Sequence, residues 1–205
     1  SMAALWPDMD TNDTLQYQRG WVARALTDTS WPPEESGANL GVFVLDEIEF
    51  NLNLHRMHGI DSEQAVSYQL DGLYQSRMSG SHQLAVEFSY DAGEHKLTGW
   101  RQATSTPDLP VCYARATVSG EQVLAGRAKF YKHGPGSIDV LGNARIDAGL
   151  HPISVRLLCE ASSTKTGVSV VLKYRHPDAT RFSALDTMII HLAPAPQLEI
   201  ATIQY

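Results

Sequence analysis

The sequence predicts an all-β fold, an antiparallel β-sandwich with one N-terminal helix. From about residue 38 onward, apolar residues recur at every second position in short runs, which is the period of a strand with one buried face. At least eight such runs are separated by Gly, Pro, Asp and Asn, as is typical of sandwiches and barrels. Alternating strand and helix units are absent from the pattern, which excludes a Rossmann or TIM-barrel architecture.

Residues 10–28 have a different period. Four apolar residues share one face at helical spacing: Leu15, Val22, Ala25 and Leu26. The Asp, Thr and Asn residues before them are suited to cap a helix, and the Trp31-Pro32-Pro33 segment after them is typical of a connector. We therefore predict a helical extension with a Pro-rich connector over residues 1–37, and a β-sandwich domain over residues 38–205.

The alternating runs define the expected strands. The longest covers residues 43–55, where Phe50 and Leu52 alternate with polar residues, so that one face is wet. The other expected strands are residues 67–75, 84–88, 111–118, 123–131, 188–192 and 198–203.

The segment 136–177 has the clearest pattern. Two runs alternate strictly and are predicted strands: Ile153, Val155, Leu157 and Val168, Val170, Leu172. Because the polar residues 162–167 connect these runs, we expect the two strands to pair as an antiparallel hairpin. Upstream, Gly142-Asn143 is expected to form a turn, since both residues adopt positive φ readily.

Charge and hydropathy exclude two classes of partner. The net charge is −7, and the 16 Lys and Arg residues form no basic run, which argues against nucleic acid. No apolar stretch reaches the roughly 18 residues of a membrane-spanning helix. The opening Ser1-Met2 looks like an expression remnant, so the lack of a secretory leader does not identify the compartment.

The chain has two cysteines, Cys112 and Cys159, each inside a predicted strand. If these strands are neighbours, the two residues are suited to a cross-sheet disulfide in an oxidising compartment; the alternative is two buried free thiols. Neither cysteine belongs to a CxxC pair, which argues against redox chemistry and a structural zinc site.

Residues 147–155, which read DAGLHPISV, combine a Gly turn, a His and a strand. They are followed by the strand at 168–174 and by Pro177, and preceded by residues 115–121, which read RATVSGE. This order resembles the PA14 domain, a β-sandwich of toxins, glycosidases, adhesins and flocculins, in which the Arg segment usually reads Arg-Leu-x-Val-Asp-Gly. The resemblance covers roughly residues 65–180 and implies a binding or adhesion function.

One departure from the PA14 pattern bears on cofactors. Sugar-binding members that resemble flocculins hold calcium with two adjacent aspartates just before the Arg segment, where this chain has residues 109–113, LPVCY. Calcium takes six to eight oxygen ligands, mostly from clustered carboxylates, and the sequence contains no Asp-Asp pair. We therefore expect no cofactor and no calcium-dependent binding.

One loop segment carries two carboxylates and an imidazole: Asp91, Glu94 and His95. Such a group is suited to chelate a metal or to perform acid–base chemistry, and a polar hairpin loop explains it equally well.

A second candidate lies further along the same loop. Trp100, beside Arg101 and Gln102, is equipped to stack on a sugar or to anchor a partner protein; the alternative is that its ring fills the end of the sandwich. We expect a glycan or protein ligand to meet the loops around residues 91–110 and 128–135.

The remaining histidines do not indicate catalysis. His55 and His58 would point to opposite faces of the predicted strand, which disfavours zinc, and His151 is expected to be structural at the start of its strand. The sequence has no Gly-x-Ser-x-Gly elbow and no phosphate-binding glycine loop.

These observations predict a non-enzymatic, extracytoplasmic binding or adhesion module that recognises a glycan or a surface protein. One alternative is a structural subunit of a surface appendage, such as a truncated minor pilin or a secretion-system component, because an amphipathic helix leads into the sheet. Another is an accessory domain of a glycosidase or toxin.

Overall fold

Two antiparallel sheets form the computed structural model, which describes residues 15–60, 65–90, 109–131, 133–160 and 167–194. In chain order the strands are β1 (Leu15–Arg19), β2 (Trp21–Leu26), β3 (Asn39–Leu45), β4 (Glu49–Asn51), β5 (Ser67–Ser76), β6 (Gly80–Tyr90), β7 (Val111–Val118), β8 (Glu121–Lys129), β9 (Ser137–Ile146), β10 (Gly149–Glu160), β11 (Val168–Arg175), β12 (Ser183–Ala184) and β13 (Ile189–Pro194). The helical elements among these residues are α1 (Leu54–Met57) and a 3-10 turn, Leu185–Met188. Neither is long and apolar enough to cross a bilayer.

The strands divide into a larger and a smaller sheet. The larger has the order β1-β13-β5-β10-β7-β8, with β2 paired to β5 and β3 paired to β2. The smaller has the order β12-β11-β6-β9, with β4 paired to β11 beside β12. One hydrophobic core is shared by both sheets, so the predicted β-sandwich is confirmed.

β10 occupies the centre of the larger sheet, antiparallel to β5 on one side and to β7 on the other. Its residues Ile153, Val155 and Leu157 are buried in the core, as the alternation predicts. At the end of β10, Cys159 lies directly opposite Cys112 of β7, with the Cα atoms 4.0 Å apart, and the two form a disulfide. Of the two states that the sequence leaves open, the structure has the bonded one.

The N-terminal helix prediction is wrong, because residues 15–26 form β1 and β2. Gly20 separates the two strands with φ +101°, and a Cβ on it would lie 2.7 Å from the carbonyl oxygen of Leu45. Trp21, Ala23 and Ala25 are buried at alternate positions, which is strand period rather than helical period. These residues are therefore part of the larger sheet and not an extension in front of it.

The single long strand expected over residues 43–55 is also wrong. β3 belongs to the larger sheet and β4 to the smaller, and the chain crosses between them at residues 46–48. The buried positions are odd-numbered in β3, at Phe43 and Leu45, but even-numbered in β4, at Phe50. This change of parity in the sequence marks the crossing.

The expected hairpin of residues 153–158 with 168–173 does not form. β10 pairs with β5 and β7 in the larger sheet, whereas β11 pairs with β6, β4 and β12 in the smaller. Both strands do have one buried face, as predicted. An alternating pattern shows that a strand faces the core, but it does not show from which side.

The two sheets close on each other where β8 meets β9. A Cβ on Gly142 would lie 2.3 Å from the carbonyl oxygen of Val123 and 2.8 Å from the Cα of Leu124. β9 is continuous through Gly142, so the turn predicted at Gly142-Asn143 is wrong. The glycine is required by the close approach of two backbones.

A strap formed by residues 27–38 lies against the outer face of the larger sheet. The Asp28 carboxylate accepts hydrogen bonds from the amides of Ser30, Glu34 and Glu35 and contacts Arg156 Nη2 at 3.4 Å. Hydrogen bonds from Ser30 are the main cause of a lowered pKa at Asp28. Both members of the Asp28–Arg156 pair are buried, so the strap encloses an ion pair.

Replacing Gly142 by alanine is expected to destabilise the protein by about 1–3 kcal/mol, because β8 or β9 must shift to admit the new methyl group. Gly136→Ala is the matched control, since its Cβ would be 3.8 Å from the nearest atom, the Tyr90 carbonyl oxygen, an ordinary contact distance. Urea unfolding of the two variants measures the difference. Equal stabilities would contradict the close approach of β8 and β9.

Asp28→Ala is expected to cost about 3–5 kcal/mol of unfolding free energy, because it leaves the Arg156 charge buried without its carboxylate. The double variant Asp28→Ala/Arg156→Met removes that charge and is expected to lose less than the single variant does. Chemical unfolding of both proteins gives the comparison. A double variant at least as unstable as Asp28→Ala would show that the buried charge is not the cause.

Candidate functional site

A shallow polar groove, wide open to solvent, lies on the outer face of the smaller sheet, at one end of its strands. There the register of β4, β11, β6 and β9 places four short polar residues side by side. In order across the sheet they are Asn51, Ser169, Ser89 and Ser137, and we call them the hydroxyl row. Alternation explains their position, since the neighbouring residues of each strand face the core.

The groove has a volume of about 540 Å³. Besides the hydroxyl row, it is lined by Glu49, Tyr90, Gly136 and Gly167. Ser89 Oγ and Ser137 Oγ are 2.7 Å apart, and the Tyr90 amide donates to the Gly136 carbonyl at 2.9 Å. A Cβ on either glycine would make only ordinary contacts, 3.8 Å from the Tyr90 carbonyl oxygen at Gly136 and 3.7 Å from Asn51 Oδ1 at Gly167.

The chemistry of the groove is that of hydroxyls, an amide and one carboxylate. Serine hydroxyls donate and accept hydrogen bonds, and the Asn51 amide does both as well. None of the described lining residues carries a positive charge. The groove is therefore suited to a hydroxyl-rich ligand without negative charge.

The cationic residue of β11 that lies closest to the groove is Lys173, and its charge is paired with carboxylates of the protein itself. Lys173 Nζ donates to Glu87 at 2.9 Å and to Asp139 at 3.1 Å. These two carboxylates lie in the row of outward-facing residues next to the hydroxyl row. Burial lowers the pKa of Lys173, but the hydrogen bonds and charges of these carboxylates outweigh it and raise the pKa above its usual value. Lys173 therefore stays charged and paired with Glu87 and Asp139.

Comparison with known proteins finds relatives in structure alone. No family model and no curated protein matches the sequence. The PA14 domain of the antifreeze protein MpAFP is 9% identical, with 91% of this chain and 96% of that one covered at a TM-score of 0.54. A PA14 sugar-binding domain from an RTX adhesin is 10% identical, with 84% and 98% covered at a TM-score of 0.54.

This chain has a PA14-like β-sandwich fold. An anti-sigma factor domain-containing protein is also similar, with 12% identity, 90% of this chain covered and a TM-score of 0.55. The chain spans about half of that protein, 51% of its length. At such identities the likeness is one of fold.

The six ligand-binding residues predicted from the sequence lie outside the described part of the PA14-like sandwich. They are Asp91, Glu94, His95, Trp100, Arg101 and Gln102. The described chain before these residues ends at Tyr90, which lines the groove. In the other predicted loop, Tyr131 is 61% exposed and Lys129 Nζ lies 5.3 Å from its ring centre.

At residues 109–113, where the PA14 resemblance implies calcium aspartates, this chain has Leu, Pro, Val, Cys and Tyr. Leu109 packs against the core, and the Pro110 carbonyl accepts a hydrogen bond from the Phe130 amide. Residues 109–113 themselves contain no carboxylate that could bind calcium. In the described ranges, no three His, Cys, Asp or Glu residues are grouped to hold a metal.

The sequence did not reveal the hydroxyl row. Each of its residues is a common polar position of a half-exposed strand, and only the pairing of β4, β11, β6 and β9 brings them together. The one local signal is the pair of glycines, Gly136 and Gly167, at the ends of the predicted strands.

The histidines singled out in the sequence have structural contacts. His55 is buried in α1, where its Nδ1 bonds the Tyr68 hydroxyl, and His58 stacks on Phe43. His151 Nε2 donates to the Asp147 carbonyl at 2.7 Å, and its Nδ1 accepts from Ser119 Oγ at 3.2 Å. His151 therefore fixes two turns at the start of β10.

A fully buried histidine, His82, lies at the opposite end of β6 from the groove. Its Nε2 donates to the Met78 carbonyl at 2.8 Å, and its Nδ1 accepts from the Tyr74 hydroxyl at 3.3 Å. The His176 ring is 5.7 Å away. Burial, aided by the charges of His176 and His151, lowers the pKa of His82 below 6.5.

His82 is expected to make stability fall as the pH drops below about 6.5. The unfolded chain then binds a proton that the folded protein excludes, which costs at most about 1.4 kcal/mol per pH unit. Urea unfolding at a series of pH values from neutral to mildly acidic measures the slope. His82→Gln should flatten it, whereas His58→Gln, at an exposed position, should not. An unchanged slope in His82→Gln would exclude His82 as the group responsible.

Proposed function

We propose that this protein is a non-enzymatic, extracytoplasmic binding or adhesion module that holds a carbohydrate in the groove on its smaller sheet. The hydroxyl row is the observation that carries the proposal. Four hydrogen-bonding side chains on neighbouring strands, spaced by about 4.8 Å, form a regular array for the hydroxyls of a sugar. Because no cation lines the described groove, we expect a neutral glycan.

The fold supports this proposal. One of the structures with the same fold is named as a sugar-binding domain of an adhesin, and the described strands of this chain form the same kind of sandwich. Fold alone does not determine function, so the proposal depends on the groove.

The Cys112–Cys159 disulfide supports an extracytoplasmic location. Disulfides form and persist in oxidising compartments and are rare in reducing ones. The bond joins two central strands of the larger sheet, where a scaffold exposed to the outside gains resistance to unfolding.

The described groove contains no serine–histidine pair of the kind that activates a serine nucleophile. Ser89 Oγ and Ser137 Oγ bond to each other, and no histidine is among the described lining residues. The alternative of a structural subunit of a surface appendage depended on a predicted N-terminal helix. Residues 15–26 form two strands instead, so this observation no longer favours that alternative. An accessory domain of a larger protein is compatible with the same binding function.

A glycan array, with and without a calcium chelator, tests the proposal. We expect binding to neutral glycans that the chelator leaves unchanged. Ser169→Trp should fill the groove and abolish binding, whereas Gln122→Trp, at an exposed position of β8 on the other sheet, should not. Trp100→Ala tests whether the predicted loop contributes a stacking ring.

Three outcomes would count against the proposal. The carbohydrate function fails if the wild type binds no glycan under any condition. The groove assignment fails if Ser169→Trp binds as the wild type does. Binding that the chelator abolishes would require a metal site, which the residues at positions 109–113 do not supply.

A further inference from the structure

Three polar side chains form a corner of the groove where β4 pairs with β11. Register places Asn51 opposite Ser169 and Glu49 opposite Val171, and we call Glu49, Asn51 and Ser169 the β4–β11 corner. Neighbouring strands are about 4.8 Å apart and alternate residues of one strand about 6.8 Å apart, so the corner is comparable in width with one sugar ring. None of its three side chains forms a hydrogen bond or an ion pair with another residue in the described part of the chain.

The other half of the groove has less bonding capacity to offer. Ser89 Oγ and Ser137 Oγ bond to each other at 2.7 Å, so part of their capacity is used within the protein. No described residue takes up the donors and acceptors of the Asn51 amide or the acceptors of the Glu49 carboxylate. A sugar therefore gains most new hydrogen bonds at the β4–β11 corner.

Glu49 belongs to a row of outward residues that continues as Val171, Glu87 and Asp139. Lys173 pairs with Glu87 and Asp139, on the far side of β11 from β4. Val171, directly opposite Glu49, is apolar and cannot pair with its carboxylate. Among the described residues of this row, Glu49 is thus the carboxylate without a basic partner, and it is exposed in the groove.

We propose that Glu49 determines the specificity of the groove by accepting hydrogen bonds from two neighbouring hydroxyls of one sugar ring. This role of Glu49 rests on the proposed carbohydrate function and names the chemistry that the sugar must present. An ionised carboxylate accepts hydrogen bonds and cannot donate them, so each bond at Glu49 requires a free hydroxyl on the sugar. Its two oxygens lie side by side, which suits hydroxyls on adjacent ring carbons.

The charge of Glu49 sets the selection. Hydrogen bonds to a charged acceptor are roughly twice as strong as neutral ones, so Glu49 contributes more than a serine of the hydroxyl row does. A sugar that is O-methylated at this edge offers no donor, and a uronic acid brings a second negative charge to the carboxylate. Both should bind more weakly than the free neutral sugar.

Glu49→Gln tests this role, because it keeps the size of the side chain and removes its charge. Its affinity for neutral oligosaccharides of glucose, galactose and mannose should fall about 10-fold or more. Glu87→Gln is the matched control, since it makes the same change in the same row at a residue that does not line the groove, and it should bind as the wild type does. Titration calorimetry measures the affinities, and circular dichroism shows that each variant is folded.

O-methylated counterparts of the same oligosaccharides separate a contact from a structural effect. Methylation of the hydroxyls that face Glu49 should weaken binding to the wild type strongly and binding to Glu49→Gln only slightly, because the variant has already lost the charged contact. Coupling of this kind between a side chain and a ligand group is the signature of a direct interaction. A purely structural role of Glu49 would make the two losses independent.

Three results would overturn the role of Glu49. They are a Glu49→Gln variant that binds as the wild type does, a Glu87→Gln variant that loses as much affinity, and equal losses on methylation in the wild type and in Glu49→Gln. A preference of the wild type for an amino sugar with a positive charge would also overturn it, since Glu49 would then act as a counter-ion.

The role of Glu49 and the carbohydrate function fail separately in these experiments. A wild type that binds no glycan refutes the proposed function. Glycan binding that Ser169→Trp abolishes and Glu49→Gln leaves unchanged refutes the role of Glu49 alone.

Discussion

The register of β10 is the constraint on which the rest of the sandwich depends. β10 is paired along most of its length on both sides, so its faces set those of β5 and β7. A slip of one residue would turn Ile153, Val155 and Leu157 outward and drive Arg156 into the core. Arg156 resists that slip, because only on the outer face does its guanidinium reach Asp28 and the Gln69 side-chain oxygen, the latter at 3.1 Å. The ion pair under the strap therefore specifies the sheet as well as stabilising it.

The two outer faces of the sandwich differ in how far they are covered by other parts of the chain. The strap covers part of the outer face of the larger sheet. There Trp31 stacks on Tyr113 with ring centres 5.2 Å apart, and Asp28 forms an ion pair with Arg156. The smaller sheet presents its polar rows to solvent, and its groove lies at one end of them.

The sequence predicts this fold only as far as the alternation of apolar and polar residues along strands allows, because that alternation reports which face of a strand is buried. It identified most strands and their buried faces, including β7 over its full length, because burial on one side dictates alternation. It did not assign β10 and β11 to opposite sheets, because both face the same core. Residues 10–28 suggest a helix because Leu15, Val22 and Leu26 also fit helical spacing; the alternation of the buried Trp21, Ala23 and Ala25 is the stronger signal. The hydroxyl row was beyond prediction, because it exists only once four strands distant in sequence are in register.

The serine and asparagine side chains of the groove would hold a sugar by neutral hydrogen bonds, each of which contributes only about 0.5–1.5 kcal/mol after its exchange with water. A single groove of this kind is therefore a weak site, and adhesion by weak sites relies on more than one of them. Several grooves of this kind acting together would hold a glycan-covered surface more firmly than one groove holds a free sugar, so adhesion to a surface, rather than tight capture of a free sugar, is the function that the chemistry of the groove favours.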